Sequence, residues 1–522
     1  MSEKRKSAGA VAASLPHATH RASMRENLES IALAILLVLV VRQLVVEAFK
    51  IPTGSMAPTL LGIHKEVRCP NCGWTFRAAY DKFGPYRNLQ CPNCLDSWPG
   101  GSMEVGEGYD ETIVFRRPAW LWNEGWTSRT KHHVYGIDAA NRVDRWGSRI
   151  FVNKFIYELR KPRRWEVIVF LHPYADARCL DCPWEDTQAP ADIEKCPLCE
   201  SRRLVVGRKN YIKRLVGLPG ERIIIENGDV YINGQIARKP PAVQECLWQH
   251  VLDSSYVPRK EVAPLWDFGA EPARWKRDTQ TGALALAALD AESPPLVRLA
   301  RPLGDFCAYN GSREGFPEGP FGSGKHDVGD CRLDLELTVL EAKANASVVL
   351  RIEDDEHDFL LRLPAGCAGK AELLDAGRLV AERPFAGLTQ GAMARVVLEN
   401  YDDLVSANVN GQVIMGHSYE GNPRPARREK CVAFGARGAQ VAFHRVRVAR
   451  DIYYLSEEDL DGNPRTYQLD DRGYFVLGDN SAGSYDSRLW PSCEVPAKHL
   501  MGEAFAIFWP IHDISLLTTG PE

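Results

Sequence analysis

The run Tyr211-Ile212-Lys213-Arg214-Leu215-Val216-Gly217-Leu218-Pro219-Gly220-Glu221 reads as an apolar β-strand that ends in a Gly-Leu-Pro-Gly turn, with two cations set inside it. Successive side chains of a strand face opposite ways, so one of Lys213 and Arg214 points inward and the other outward. A buried lysine loses proton affinity because desolvation disfavours the ammonium. Its neutral amine can then take a proton from a hydroxyl, which an arginine, always protonated, cannot do. Lys213 is therefore a candidate general base; the alternative is a solvated edge-strand charge. Around this run the strand pattern repeats, at 166–170, 222–226, 230–233, 474–477 and 504–509. Asn227-Gly228 and Asn233-Gly234 supply hairpin turns, so the core is expected to be all-β.

A base needs a nucleophile. Ile51-Pro52-Thr53-Gly54-Ser55-Met56-Ala57-Pro58-Thr59-Leu60 carries two prolines and a glycine, which force a non-helical loop. Such a loop can expose a serine while its neighbours stay rigid; an ordinary turn serine is the alternative. A third run, Gly478-Asp479-Asn480-Ser481-Ala482-Gly483-Ser484-Tyr485-Asp486-Ser487-Arg488, follows an apolar strand and suits a loop lining a site. Asp486 and Arg488 can pair to hold it, unless it is simply a solvated turn.

In this order the three runs resemble the bacterial type I signal peptidase (leader peptidase) family, which is membrane-anchored and uses a Ser/Lys dyad. A fourth family segment is matched by Gly147-Ser148-Arg149-Ile150-Phe151-Val152-Asn153-Lys154-Phe155, although Ser148 stands where the family usually has an acidic residue. The resemblance covers roughly 28–64, 146–178, 204–242 and 453–516. It implies that Ser55 is the acylated nucleophile and Lys213 the general base. Thr53 would lend a hydroxyl to the oxyanion hole beside the Ser55 N–H, and Ser484 would orient the lysine amine. Asp479, Asp486 and Arg488 would support the loop. Ile51, Pro52, Met56, Leu60, Tyr211 and Ile212 match positions lining shallow pockets for small side chains at −1 and −3 of a cleavage site. No cofactor is expected for catalysis.

Upstream of Ser55, residues 1–27 are polar and basic, and Ile31–Val41 is unbroken apolar sequence. Taken as 28–49, the stretch would span about 33 Å as a helix, enough for a hydrocarbon core of about 30 Å. A single-pass anchor is expected, with a cytoplasmic tail and residues 50–522 outside the inner membrane. A cleaved signal peptide is the alternative, but 46–49 lacks small residues at the expected cleavage positions. Trp120, Trp122 and Trp126, or Phe508 and Trp509, are candidates for an interfacial belt, with a core role as the alternative. The chain has 522 residues, 45% of them hydrophobic and 25% charged, which excludes disordered and polytopic classes. The 64 Lys+Arg against 68 Asp+Glu leave a net charge of −4, so nucleic acid is not an expected partner.

Cys69-Pro70-Asn71-Cys72 is followed after 18 residues by Cys91-Pro92-Asn93-Cys94, and Cys179/Cys182 after 13 residues by Cys196/Cys199. Paired CxxC knuckles at this spacing predict two structural zinc sites of four cysteines each, in insertions at about 65–99 and 176–203. Four thiolates leave no open position for water. Disulfides are the alternative in an exported domain.

Between the two segments of the catalytic core, 50–242 and 453–522, lies an insertion, 243–452. Its opening stretch is Pro- and Ala-rich without clear period. From about 304 it alternates: Leu333, Leu335, Leu337 and Val339 against Arg332, Asp334, Glu336 and Thr338. Short strands with an Asn410-Gly411 turn predict an antiparallel β-sandwich, weakly similar to concanavalin- or laminin-G-like jelly rolls, which implies a glycan or docking role; a structural insertion is the alternative.

The expectation is thus a mainly β membrane-anchored serine endopeptidase acting on preprotein signal peptides at the bilayer. Two other readings compete: a surface glycan-binding or docking protein with a degenerate peptidase core, and a glycosidase with paired carboxylates in the sandwich.

Overall fold

The computed structural model describes residues 27–34, 46–79, 88–99, 104–105, 135–136, 144–145, 147–310, 326–354, 357–421, 430–458 and 463–517. The chain is mainly β, with few and short helices among these residues. The central sheet uses β1 (Val46–Lys50), β2 (Arg149–Asn153), β3 (Val167–Leu171), β4 (Asn210–Gly217), β5 (Gly473–Leu477), β6 (Val495–Pro496) and β7 (Leu500–Trp509), with β8 (Ser515–Leu516) paired to β7. Their order is β1-β2-β7-β3-β4-β5-β6, and every pairing is antiparallel. Strands far apart in sequence are therefore neighbours: β4 lies between β3 and β5, which brings Lys213 beside the segment that leads into Gly478–Arg488.

Both faces of β4 are covered. Leu215 feeds a cluster with Ile168, Phe170 and Trp490, while Val216 feeds another with Ile223 and Phe475. Lys213 and Arg214 are consequently both buried, which corrects the expectation that one faces outward. Alternation assigns faces, but only packing decides whether a face meets water.

A four-stranded sheet, Gln235–Ile236, Asp229–Ile232, Arg222–Glu226 and Thr466–Gln468 in that order, packs beside it. Asn227-Gly228, Asn233-Gly234 and Asn410-Gly411 all turn with positive φ at both residues, as tight hairpins require.

The insertion forms a large antiparallel sheet through two long strands, Cys331–Asp354 and Cys431–Arg450, which pair along most of their length with register shifts between 336 and 347. Residues from both halves of Cys331–Asp354, such as Leu335 and Leu350, enter one hydrophobic core. The stretch without visible period also contributes: Gln249–Asp253, Leu284–Ala287 and Leu296–Leu299 all pair with Cys431–Arg450.

The middle of the expected membrane helix (28–49), residues 35–45, and Trp120, Trp122 and Trp126 lie outside the described residues. Residues 27–34 are helical, but no helix among the described residues is long and apolar enough to cross a membrane. At the other end the expectation needs correction: Val46–Lys50 is not helical but pairs with Arg149–Asn153, where Val46 and Phe49 suit a pleated surface.

Candidate active site

The site is built from β4, the loop 51–62 and the loop 478–488. Lys213 Nζ lies 2.7 Å from Ser55 Oγ and 3.2 Å from the Ile212 carbonyl oxygen. Ser55 is 8% exposed and Lys213 3%. Burial pulls the amine down from its ordinary range to about 8, although Asp486 and Asp479 act against that shift. The Tyr211 ring sits 5.6 Å from Nζ.

Three groups hold the loop 51–62. Ser148, in the segment where an acidic residue was expected, accepts from the Ile51 N–H through its carbonyl at 2.9 Å and donates its own N–H to the Leu61 carbonyl at 2.8 Å. Its hydroxyl accepts from the Leu61 N–H at 3.1 Å. A methyl group at the adjacent Gly147 would meet the Ile51 carbonyl oxygen at 1.8 Å, so only glycine permits this approach. From the other side, the Asn480 N–H donates to the Ser55 carbonyl at 3.1 Å and its amide nitrogen to the Gly54 carbonyl at 3.1 Å.

Two buried ion pairs fix the surroundings. Arg214 binds Asp479 through two bonds of 2.7 Å each and reaches the Trp165 carbonyl at 2.8 Å. Arg488 binds Asp486 at 2.8 and 2.9 Å and also donates to Ser481 and the Leu455 carbonyl. Burial would raise the Asp486 carboxyl, but Arg488 outweighs it and holds that group below its ordinary range. Asp486 in turn accepts from the Gly478 N–H at 3.0 Å. Each pair satisfies its charges with several hydrogen bonds, the condition under which a buried pair is tolerated.

The remaining candidate residues are placed as follows. Thr53 and Pro52 are exposed on the loop. Ser484 Oγ is buried and no hydrogen bond joins it to Lys213; it crowds Gly478, where a methyl group would lie 2.2 Å from that oxygen and 2.4 Å from the Ser55 carbonyl oxygen. Ile51, Met56 and Leu60 are buried in a cluster with Ile150, Val152 and Val169, while Tyr211 and Ile212 are half-buried. Asn480 was missed as a functional residue. Its signal, an amide between Asp479 and Ser481, is no different from that of any turn asparagine.

Both cysteine quartets come together, with all four sulfurs of each within 4.8 Å of one another. Cys69–Cys94 and Cys72–Cys91 are 3.6 Å apart, and Cys179–Cys199 and Cys182–Cys196 are 3.6 and 3.5 Å apart. A tetrahedron of thiolates at about 2.3 Å from zinc has edges of about 3.8 Å, whereas a disulfide needs about 2.05 Å. The donor set and spacing fit zinc. Asp229, Asp330 and Asp402 also converge, but the Lys239 ammonium already bridges Asp402 and Asp451 there.

A buried lysine amine within hydrogen-bond reach of a serine hydroxyl, with charged supports on a third loop, is an arrangement that suits nucleophilic chemistry by serine with lysine as base. In sequence, residues 140–255 and 410–509 match the family described as signal peptidase, peptidase S26. Lys213 and Gly478–Arg488 fall inside these segments and Ser55 outside them. A probable signal peptidase I-2 of Synechocystis sp. is 40% identical over 86 residues, 15% of this chain and 38% of that protein. These matches support a signal peptidase hydrolase. Among solved structures, a Bacillus licheniformis β-glucanase is similar with a TM-score of 0.24 at 9% identity, covering 39% of this chain and 91% of its own. The carbohydrate-binding module CBM66 of Bacillus subtilis has a TM-score of 0.20 at 8% identity, covering 34% and 88%. Likeness at this level assigns nothing to the chain.

Proposed function

We propose that the protein is a membrane-associated Ser/Lys endopeptidase that removes N-terminal signal peptides from exported preproteins, after small residues at −1 and −3. The observation that carries this reading is the 2.7 Å contact between the buried Lys213 amine and Ser55 Oγ. In the neutral form Lys213 takes the hydroxyl proton as Ser55 Oγ attacks the scissile carbonyl. The Ser55 N–H and the exposed Thr53 hydroxyl are the available donors to the resulting oxyanion, where one such donor is typically worth about 3–4 kcal/mol. Collapse breaks the C–N bond, and the departing amine takes the proton back from Lys213. The acyl group left on Ser55 Oγ is released by water, which Lys213 deprotonates in the same way.

Placement at a bilayer has its own support. Trp509, Ile511, Ile514 and Leu516 are exposed at the end of β7 and on β8, close to the strand β1 that follows the apolar N-terminal stretch. Phe151 stacks on Phe508 at 4.1 Å in the same region. Exposed apolar side chains grouped along one chain segment in this way suit an interaction surface. The two cysteine quartets are proposed as structural zinc sites; zinc would supply cross-linking of the knuckles and no step of the reaction.

The test is cleavage of a preprotein by the detergent-solubilised full chain, with product termini read by mass spectrometry. A single cut after a small residue, abolished in Ser55→Ala, is expected. Equal cleavage by Ser55→Ala would overturn the reading.

A further inference from the structure

We infer that residues 305–310, which belong to the insertion, position the nucleophile loop, with Tyr309 and Asn310 as the positioning residues. The inference rests on the Ser55/Lys213 reading. Tyr309 is buried against Ala57 and Leu61, two residues of the nucleophile loop. Its hydroxyl accepts from the Gly62 N–H at 3.2 Å. Its ring lies so close to Gly54 that a methyl group there would sit 2.0 Å from ring carbon Cε1. The backbone immediately before Ser55 is thus pressed between an insertion side chain and Asn480.

Asn310 acts on Asn480 itself. The Asn310 amide nitrogen donates to Asn480 Oδ1 at 2.8 Å, and the Asn480 amide nitrogen donates back to Asn310 Oδ1 at 2.6 Å. The second hydrogen of that Asn480 nitrogen is the one given to the Gly54 carbonyl at 3.1 Å. Both N–H donors and the carbonyl oxygen of the Asn480 amide are engaged, and its plane cannot rotate without breaking the reciprocal pair.

The strap has a rigid mount. Arg450, buried at the end of the long strand Cys431–Arg450, donates to the Asp305 and Phe306 carbonyls at 3.1 and 2.8 Å. The Asn310 N–H closes a turn onto the Cys307 carbonyl at 2.9 Å. A path of direct contacts therefore runs from the insertion's large sheet through Arg450, the strap and Asn480 to the carbonyls on either side of the Gly54–Ser55 bond. The insertion is part of the machinery that places Ser55 Oγ, and a displacement of about 1 Å at a reacting atom costs up to about 100-fold in rate.

Two readouts test this on the full-length protein. One is kcat and KM for a preprotein peptide; the other is the rate at which an activated acyl ester labels Ser55, read as a mass increment. Asn310→Ala and Asn310→Leu, the latter keeping bulk without hydrogen bonds, should each lower kcat and the labelling rate about tenfold, with KM within about twofold. Asn480→Ala should lose as much alone as when combined with Asn310→Ala, because Asn310 acts through Asn480. Full additivity of the two losses, or unchanged labelling in both Asn310 variants at equal melting temperature, overturns the inference. If the wild type labels at Ser55 but cleaves no preprotein, the signal-peptidase reading fails, and the labelling rates still decide the role of the strap. Absence of wild-type labelling defeats both.

Discussion

Lys213 has to be an uncharged amine to accept the proton of Ser55. With its proton affinity pulled down to about 8, only about a tenth is neutral at pH 7. Cleavage by the wild type should therefore climb about tenfold per pH unit below 8 and level off above it; a flat profile between pH 6 and 9 would argue against a lysine base. Ser55→Ala and Lys213→Ala should each lower kcat by about 10⁴-fold or more with the fold retained, as seen by circular dichroism. The same burial has a stability consequence. The folded amine titrates near 8 and the unfolded one near 10.5, so the unfolded chain binds the extra proton between these values. Stability contributed by this site thus rises with pH through that window. Lys213→Met should raise the melting temperature at pH 7, by the equivalent of at most about 3 kcal/mol, and lose that advantage near pH 10.5. A gain independent of pH would mean that the substitution acts through packing alone. Lys213 and Ser55 were legible as candidates from residue type and setting, and the structure brings them together. Asn480 was not, because an amide in a turn reveals its role only through the carbonyls it meets.

Among the elements, the loop 478–488 depends on the Asp486–Arg488 pair, wholly buried and linked to Gly478, Ser481 and Leu455. Arg488→Met leaves a buried carboxylate without its partner, which typically costs about 3–5 kcal/mol. The urea midpoint should fall accordingly, and an unchanged midpoint would show that the loop is held by other contacts. The hairpin turns were legible because Asn-Gly tolerates the positive φ such turns need. The strand Val46–Lys50 was not: an apolar stretch fits a helix or a buried strand, and its pairing with Arg149–Asn153 breaks the tie. Ser148 makes the same point about a departure from a family pattern. Its three bonds to Ile51 and Leu61 tie down both ends of the loop that carries Ser55, a role the missing acidic side chain did not suggest.

Across the whole molecule, the first cysteine quartet joins the catalytic region to the insertion. The Asn71 amide donates to the Lys260 carbonyl at 2.8 Å and accepts from its N–H at 2.9 Å. Asn93 likewise accepts from the Asp253 N–H at 2.7 Å and donates to the Tyr256 carbonyl at 3.0 Å. Protein purified without chelators should carry about two zinc ions per chain by elemental analysis. Cys72→Ser should remove one of them and lower the melting temperature. Full stability with no bound metal would refute the zinc assignment.

Local rules were enough for the β class, the hairpins, the cysteine knuckles and the chemical types of Ser55 and Lys213, because each depends on neighbours a few residues away. The rest was settled in three dimensions. Ser55 and Lys213 are 158 positions apart, and Asn310 and Asn480 are 170 apart. Alternation and spacing carry no information about which distant segments share a sheet edge. The burial of Arg214, the strap at 305–310 and the joining of 249–299 to the insertion's large sheet were settled by long-range packing and strand pairing, which are properties of the packed chain.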